Sequence, residues 1–173
     1  MNDNTGQWKK LQNGSDIRGV ALEGIEGEPV NLSPEVVRIL ARSFAKWMSV
    51  NTGETNLSVA VGTDSRISGP VLKASLIKGF IDSGVSVWDC GIASTPAMFM
   101  TTVNGRHPVT AGIMITASHH PFNRNGLKFF TKDGGLDKKD IASILEFAAA
   151  GDFEKPVSNG SVHEWHFMDE YAG

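Results

Sequence analysis

The stretch VTAGIMITASHHPFNRNGLKFFT, residues 109–131, decides how this chain folds. Its first eight residues, 109–116, are almost unbrokenly apolar, as in a strand covered on both faces rather than one turned toward water. A polar, turn-rich segment follows, and LKFFT then reads as a second strand. The return is too short for a helical crossover, so the two strands are predicted to run antiparallel. The same segment sets Ser118, His119 and His120 at the end of the first strand and Lys128 inside the second.

Working outward, strands and helices alternate. SPEVVRILARSFAKWMSV, residues 33–50, places Val36, Val37, Leu40, Phe44 and Trp47 at helical spacing, with Ser33 as cap, Pro34 in the first turn and Gly53 as the stop. LSVAVGTD from Leu57 is a short β-branched strand, and an amphipathic helix is predicted from about Pro70 to Ser83. VSVWDCG, residues 85–91, is the next strand. Ser94 or Thr95 can cap a short helix with Pro96 in its first turn. Beyond LKFFT, DKKDIASILEFAAAG reads as a last helix ended by Gly151. This alternation predicts an α/β fold: a three-layer α/β/α sandwich with a mixed, mostly parallel sheet. Residues 15–151 form the expected domain, with 1–14 as an N-terminal extension and 152–173 as a connector without periodicity.

A chain of 173 residues suffices for one such domain. Sixteen lysines and arginines against nineteen acids leave a formal charge of −3, too little to point to nucleic acid or an anionic membrane as partner. Cys90 is the only cysteine, so no internal disulfide and no Cys-rich zinc site can form. The start MNDNTGQWKK lacks an apolar signal core, and no run approaches the roughly 20 apolar residues of a membrane span. A cytoplasmic protein is the expectation, with an organelle such as a plastid left open.

In open α/β sheets, ligands collect beyond the carboxyl ends of the strands, where loops converge and helix N-termini present amide donors. Three loops bring polar groups to that rim: Asp64, Ser65 and Arg66; Ser94 and Thr95; and Thr116, Ser118, His119 and His120. Asp16-Ile17-Arg18-Gly19 can join them. Each also has a plain reading. GTDSRISGP can be a turn and a cap with Arg66 in a structural ion pair, and Lys128 can face solvent, since alternation puts Lys128 and Phe130 opposite Leu127 and Phe129. Adjacent histidines diverge and make a poor metal pair. Ser118 also lacks the G-x-S-x-G elbow of a hydrolase.

Thr116-Ala117-Ser118-His119-His120-Pro121 with Asn125-Gly126-Leu127-Lys128 resembles the phosphoserine loop of the α-D-phosphohexomutases, T-A-S-H-N-P followed by N-G-x-K. Asp16-Ile17-Arg18-Gly19 resembles the family's D-x-R-G segment, and Gly62 to Gly69 its G-x-D-x-R-x-S segment. The likeness spans residues 16 to about 150. It implies that Ser118 is a phosphoserine exchanging its phosphoryl group with a hexose phosphate through a hexose bisphosphate, with Mg²⁺ on a phosphate oxygen of Ser118. His119 and Lys128 are the implied proton movers, and Arg18 lies against the phosphoserine. Asp16, Asp64, Arg66, His120 and Asn125 are implied phosphate-binding or loop-supporting residues.

Two departures bear on this reading. His120 replaces the usual asparagine with a ring that charges near about pH 6.5. Family members also carry four domains, with a D-G-D-G-D-R metal loop, a sugar-recognition loop and a phosphate-binding loop in the other three, and these 173 residues contain none of them. The expectation is therefore a truncated phosphohexomutase domain, inactive alone and holding Mg²⁺ weakly, whose partners are hexose phosphates and the remaining domains. The alternative is a non-catalytic phosphosugar- or partner-binding module. A domain cut from a larger body can also self-associate, and Phe147, Phe153, Trp165 and Phe167 are read either as some of the exposed interdomain surface or as ordinary core and scattered surface aromatics.

Overall fold

The apolar run that opens the decisive stretch lies at the centre of an eight-stranded sheet in the computed structural model, which describes residues 4–173. The elements are α1 (Thr5–Lys9), β1 (Gln12–Asn13), β2 (Asp16–Val20), α2 (Pro34–Thr52), β3 (Ser58–Thr63), α3 (Gly69–Asp82) and β4 (Ser86–Ile92). They continue as α4 (Thr95–Asn104), β5 (Ala111–Ile115), β6 (Arg124–Thr131), β7 (Gly134–Gly135), α5 (Lys138–Ala150), β8 (Val162–Glu164) and α6 (Phe167–Ala172). The strand order is β1-β2-β6-β5-β3-β4-β8, with β7 paired to β6.

The sheet is mixed and mostly parallel. β3 pairs parallel with both β4 and β5, and β8 parallel with β4, while β6 lies antiparallel to β5 and β2. Only β1 and β6 run against the common direction. The carboxyl ends of β2, β3, β4 and β5 therefore share one rim, and β6 begins there.

Helices cover both faces. On one, α2, α3 and α5 pack against Val59, Val61, Ile113, Ile115, Leu127 and Phe129. Phe44 sits at the centre, its ring 4.5 Å from Phe129 and stacked 5.7 Å from Trp47. On the other, Met98 of α4 and Phe167 of α6 pack with Ala60, Cys90 and Met114. All five residues of β5 are buried, as a strand covered on both faces requires. Ser33 and Ser94 cap α2 and α4 through the amides of Val36 and Ala97, and Asp137 and Asp140 form a reciprocal capping box on α5.

Both ends of the chain differ from expectation. Residues 5–13, set apart as an extension, pack into the domain, with Trp8 and Leu11 in the main core. Part of the expected connector is also built into the fold: β8 extends the sheet, and Trp165 and Phe167 are buried rather than exposed interdomain surface. The indole of Trp165 lies directly over Gly105, where a side chain would block it. Phe147 packs partly buried on the main core, and Phe153 lies 4.7 Å under the guanidinium of Arg42. Single apolar residues scattered through a polar segment produce no periodic signal, so this docking left no trace in the pattern. Among the described residues, no helix is long and apolar enough to cross a membrane.

Candidate active site

The rim carries Ser118 in the turn after β5, exposed and in the left-handed region at φ 55°. Among the described residues it is the only non-glycine residue with positive φ. Its N–H donates to Thr116 Oγ1 at 3.0 Å, and the Thr116 hydroxyl donates to Asp64 Oδ2 at 2.6 Å. Its carbonyl accepts from Arg66 Nη2 at 2.6 Å. Arg66 Nη1 donates to the carbonyls of Pro121 and Arg124 at 2.9 and 3.2 Å. Asp64 Oδ1 accepts from the Arg66 amide at 3.2 Å, and the two side chains form an ion pair at 3.6 Å.

The Ser118 hydroxyl lies 3.3 Å from His119 Nδ1. The ring of His120 lies nearly parallel to that of His119, with centroids 5.8 Å apart. Asn125 is buried below the loop, where its amide nitrogen donates to Ser68 Oγ at 2.8 Å and its oxygen accepts from Gly126 N. It ties β6 to the start of α3 and supports the loop from beneath.

Asp16, Arg18 and Lys128 form a second group on the α4 face of β2 and β6. Lys128, 26 % exposed, donates to Asp16 Oδ2 at 2.8 Å, and Arg18 pairs with the same oxygen at 3.5 Å. The expected alternation holds, with Leu127 and Phe129 in the main core and Phe130 on the opposite one. Lys128 is thus bound to a carboxylate rather than simply solvated. Thr116 was expected at the rim without a role, and Arg124 had no place among the candidates. Thr116 links Asp64 to the serine amide. Arg124, paired with Glu28 at 2.5 Å, adds a further cation beside the loop. A charged residue within PFNRNG is the one available signal for Arg124. Ser94, a rim candidate, uses its hydroxyl to cap α4.

Several cations act on the serine loop. Loss of water contact, together with the positive charges of Arg18, His119, Arg124 and Arg66, holds the His120 imidazole below its ordinary value of 6.5. The unfolded chain therefore binds more protons at this residue than the folded chain, from that lowered value up to about 6.5. Stability should rise with pH across this window and fall as the solution is acidified through it. His120→Asn is expected to flatten that part of a melting-temperature profile at low salt, since exposed charges are screened at high salt. An unchanged slope would show that the cations do not act on this ring. Cys90 offers no rival nucleophile, because burial pushes its thiol up to about 12.

The residues present do not fit a divalent metal. Among the described residues, no three His, Cys, Asp or Glu side chains gather as a ligand set. The charged groups round the Ser118 loop are mainly cations, which repel a divalent ion.

The chain matches the family model for phosphoglucomutase/phosphomannomutase, α/β/α domain I, over residues 9–155. It is 36% identical over 162 residues to a phosphoglucosamine mutase of Staphylococcus aureus (strain JH9), covering 91% of this chain and 33% of that protein. The chain thus spans about a third of the length of such curated relatives. A phosphoglucomutase/phosphomannomutase family protein from Burkholderia thailandensis superposes with a TM-score of 0.78 at 26% identity, over 95% of this chain and 34% of that one. The open form of pp63/parafusin from Paramecium shares the fold, with a TM-score of 0.53 at 17% identity over 79% of this chain and 30% of its own.

Proposed function

The chain belongs to the phosphoglucomutase/phosphomannomutase family through its α/β/α domain I, and on that premise we propose that it is the phosphoserine-bearing domain of a hexose-phosphate mutase, with Ser118 as carrier. The observation supporting this most directly is an exposed serine hydroxyl at the open rim, 3.3 Å from one imidazole and next to a second on which Arg18, Arg124 and Arg66 act.

In the proposed reaction, a hexose phosphate hydroxyl attacks the phosphorus on Ser118. The new O–P bond forms as the Ser118 Oγ–P bond breaks, the attacking hydroxyl loses its proton, and the serine oxygen takes one up. The hexose bisphosphate then returns its other phosphoryl group to Ser118 by the reverse of this step, which moves phosphate between positions 1 and 6. Such transfers need little covalent chemistry from the protein; they need alignment, and positive charge opposite the equatorial oxygens. Arg18 and Lys128 supply that charge from the sheet. His119, already 3.3 Å from the serine oxygen, and Lys128 are the groups proposed to move the protons.

Incubating the 173-residue chain with glucose 1,6-bisphosphate, followed by intact-mass measurement and site mapping, tests this. One phosphoryl group on Ser118, absent from Ser118→Ala, is the expected outcome; phosphate elsewhere, or none, refutes the reading. Because the relatives are about three times as long, these residues alone are not expected to convert glucose, mannose or glucosamine 1-phosphate to the 6-phosphate at a useful rate. Adding the remaining domains of a relative should restore conversion. The residue at position 120 favours a second reading, a phosphosugar-binding module without turnover. Saturable hexose phosphate binding with Ser118 unmodified would select it.

A further inference from the structure

We propose that Asp64 and Arg66 act as one positioning unit that grips Ser118 by both of its backbone polar groups and so sets the direction of its hydroxyl. This rests on the reading of Ser118 as phosphoryl carrier, but the geometry behind it does not. A left-handed φ costs an L-residue about 1–2 kcal/mol, and such a conformation persists only where the surroundings over-determine it. One restraint on Ser118, Arg66, comes from the short loop after β3, and the other, Thr116 Oγ1 after β5, is held by Asp64 of that same loop. Asp64 accepts a hydrogen bond from the Thr116 hydroxyl, which leaves a lone pair of that oxygen free to accept the Ser118 N–H. Arg66 holds the Ser118 carbonyl, and its second terminal nitrogen spans to Pro121 and Arg124 across the turn.

The alternative role for Arg66 is a direct charge on the phosphate. Its placement speaks against that: the side chain is only 12% exposed, and three main-chain carbonyls occupy its terminal nitrogens. A planar fork can bridge three such acceptors, whereas a lysine ammonium is a single point with a different reach. The two roles therefore separate in Arg66→Lys, which keeps the charge and loses the span.

The test uses the 173-residue chain, Arg66→Lys and Thr116→Val. Exchange of the Ser118 amide is followed by NMR, with Ile113 at the sheet centre as reference. The rate of phosphoryl uptake from glucose 1,6-bisphosphate is followed by mass. Both variants are expected to exchange the Ser118 amide about tenfold faster, the effect of losing one hydrogen bond, with Ile113 unchanged. Maximal uptake is expected to fall about a hundredfold, with the half-saturating bisphosphate concentration little moved, as for misalignment of a reacting group. If Arg66→Lys fails to fold, Thr116→Val carries the test, since it removes the hydroxyl through which Asp64 reaches the Ser118 amide and leaves Arg66 in place. Wild-type exchange at Ser118 in either folded variant overturns the proposal, as does wild-type uptake in Arg66→Lys. If even the unaltered chain takes up no phosphate, the carrier reading falls and the exchange data alone decide the clamp.

Discussion

Trp165→Ala is expected to lower the stability of the domain by about 3–5 kcal/mol, the range for truncating a large buried aromatic side chain. Its indole is 3% exposed and meets Phe167 at 5.0 Å, His107 at 4.9 Å and Trp88 at 6.0 Å between ring centroids. Its N–H donates to Glu170 Oε1 at 2.8 Å, a bond worth about 1.5–3 kcal/mol when the acceptor is charged. The backbone of the same residue donates to Asp89, which fixes β8 alongside β4. Losing the ring opens a cavity in the smaller core and frees the segment that closes it. Since domains of this size are stable by about 5–15 kcal/mol in total, the loss should be plain in a urea titration as a large drop in midpoint. Val157→Ala is the matched control: that side chain is fully exposed in the same segment, and its removal should change stability by no more than about 0.5 kcal/mol. Equal midpoints for the two variants would mean that residues 162–172 do not dock as described.

The elements legible in the sequence share one property, a regular pattern over enough residues. The main helices, their serine caps, the parallel strands and the antiparallel return of β6 follow from apolar spacing and turn length. β2 is different. DIRGV offers a motif rather than a strand pattern, because Asp16 and Arg18 on one face belong to the candidate site while Ile17 alone faces the main core. The C-terminal segment docks through two aromatic residues in a polar stretch, with a glycine as receptor on a distant loop. The site was legible by residue type, not by geometry. Spacing places Asp64, Arg66 and Ser118 on one rim, but it cannot say that Arg66 spends its donors on carbonyls or that Asp16 binds Lys128. Nor does it show that a serine, rather than a glycine, occupies the left-handed position.

Gly126→Ala should damage fold and site together. In β6, Gly126 lies opposite Arg18 of β2, and its carbonyl accepts from Thr116 N on the other side. A Cβ there would collide with the carbonyl of Ile17, lie 2.9 Å from Arg18 Cγ and lie 3.0 Å from the Thr116 carbonyl. Two of these neighbours are backbone atoms of the strand and turn on either side, so relief requires those segments to move apart. A loss of about 3 kcal/mol is expected, the upper part of the range for overpacking. Gly135→Ala, whose nearest neighbours would stand 3.8 Å away, is expected to change little. The chemical effect should exceed what stability alone explains. Arg18 lies across the space a side chain would fill, so β2 cannot retreat without moving that guanidinium away from the serine loop. A displacement on the scale of 1 Å is enough to slow phosphoryl uptake at Ser118 by about a hundredfold. Combining Gly126→Ala with Arg18→Met separates this route from general loosening. If the glycine acts on transfer through Arg18, the double variant should take up phosphate about as slowly as the slower single variant, because both changes then remove the same interaction. Rates that multiply would instead place the effect of Gly126 on some other part of the loop, with the Thr116 carbonyl that its Cβ would crowd as the first place to look.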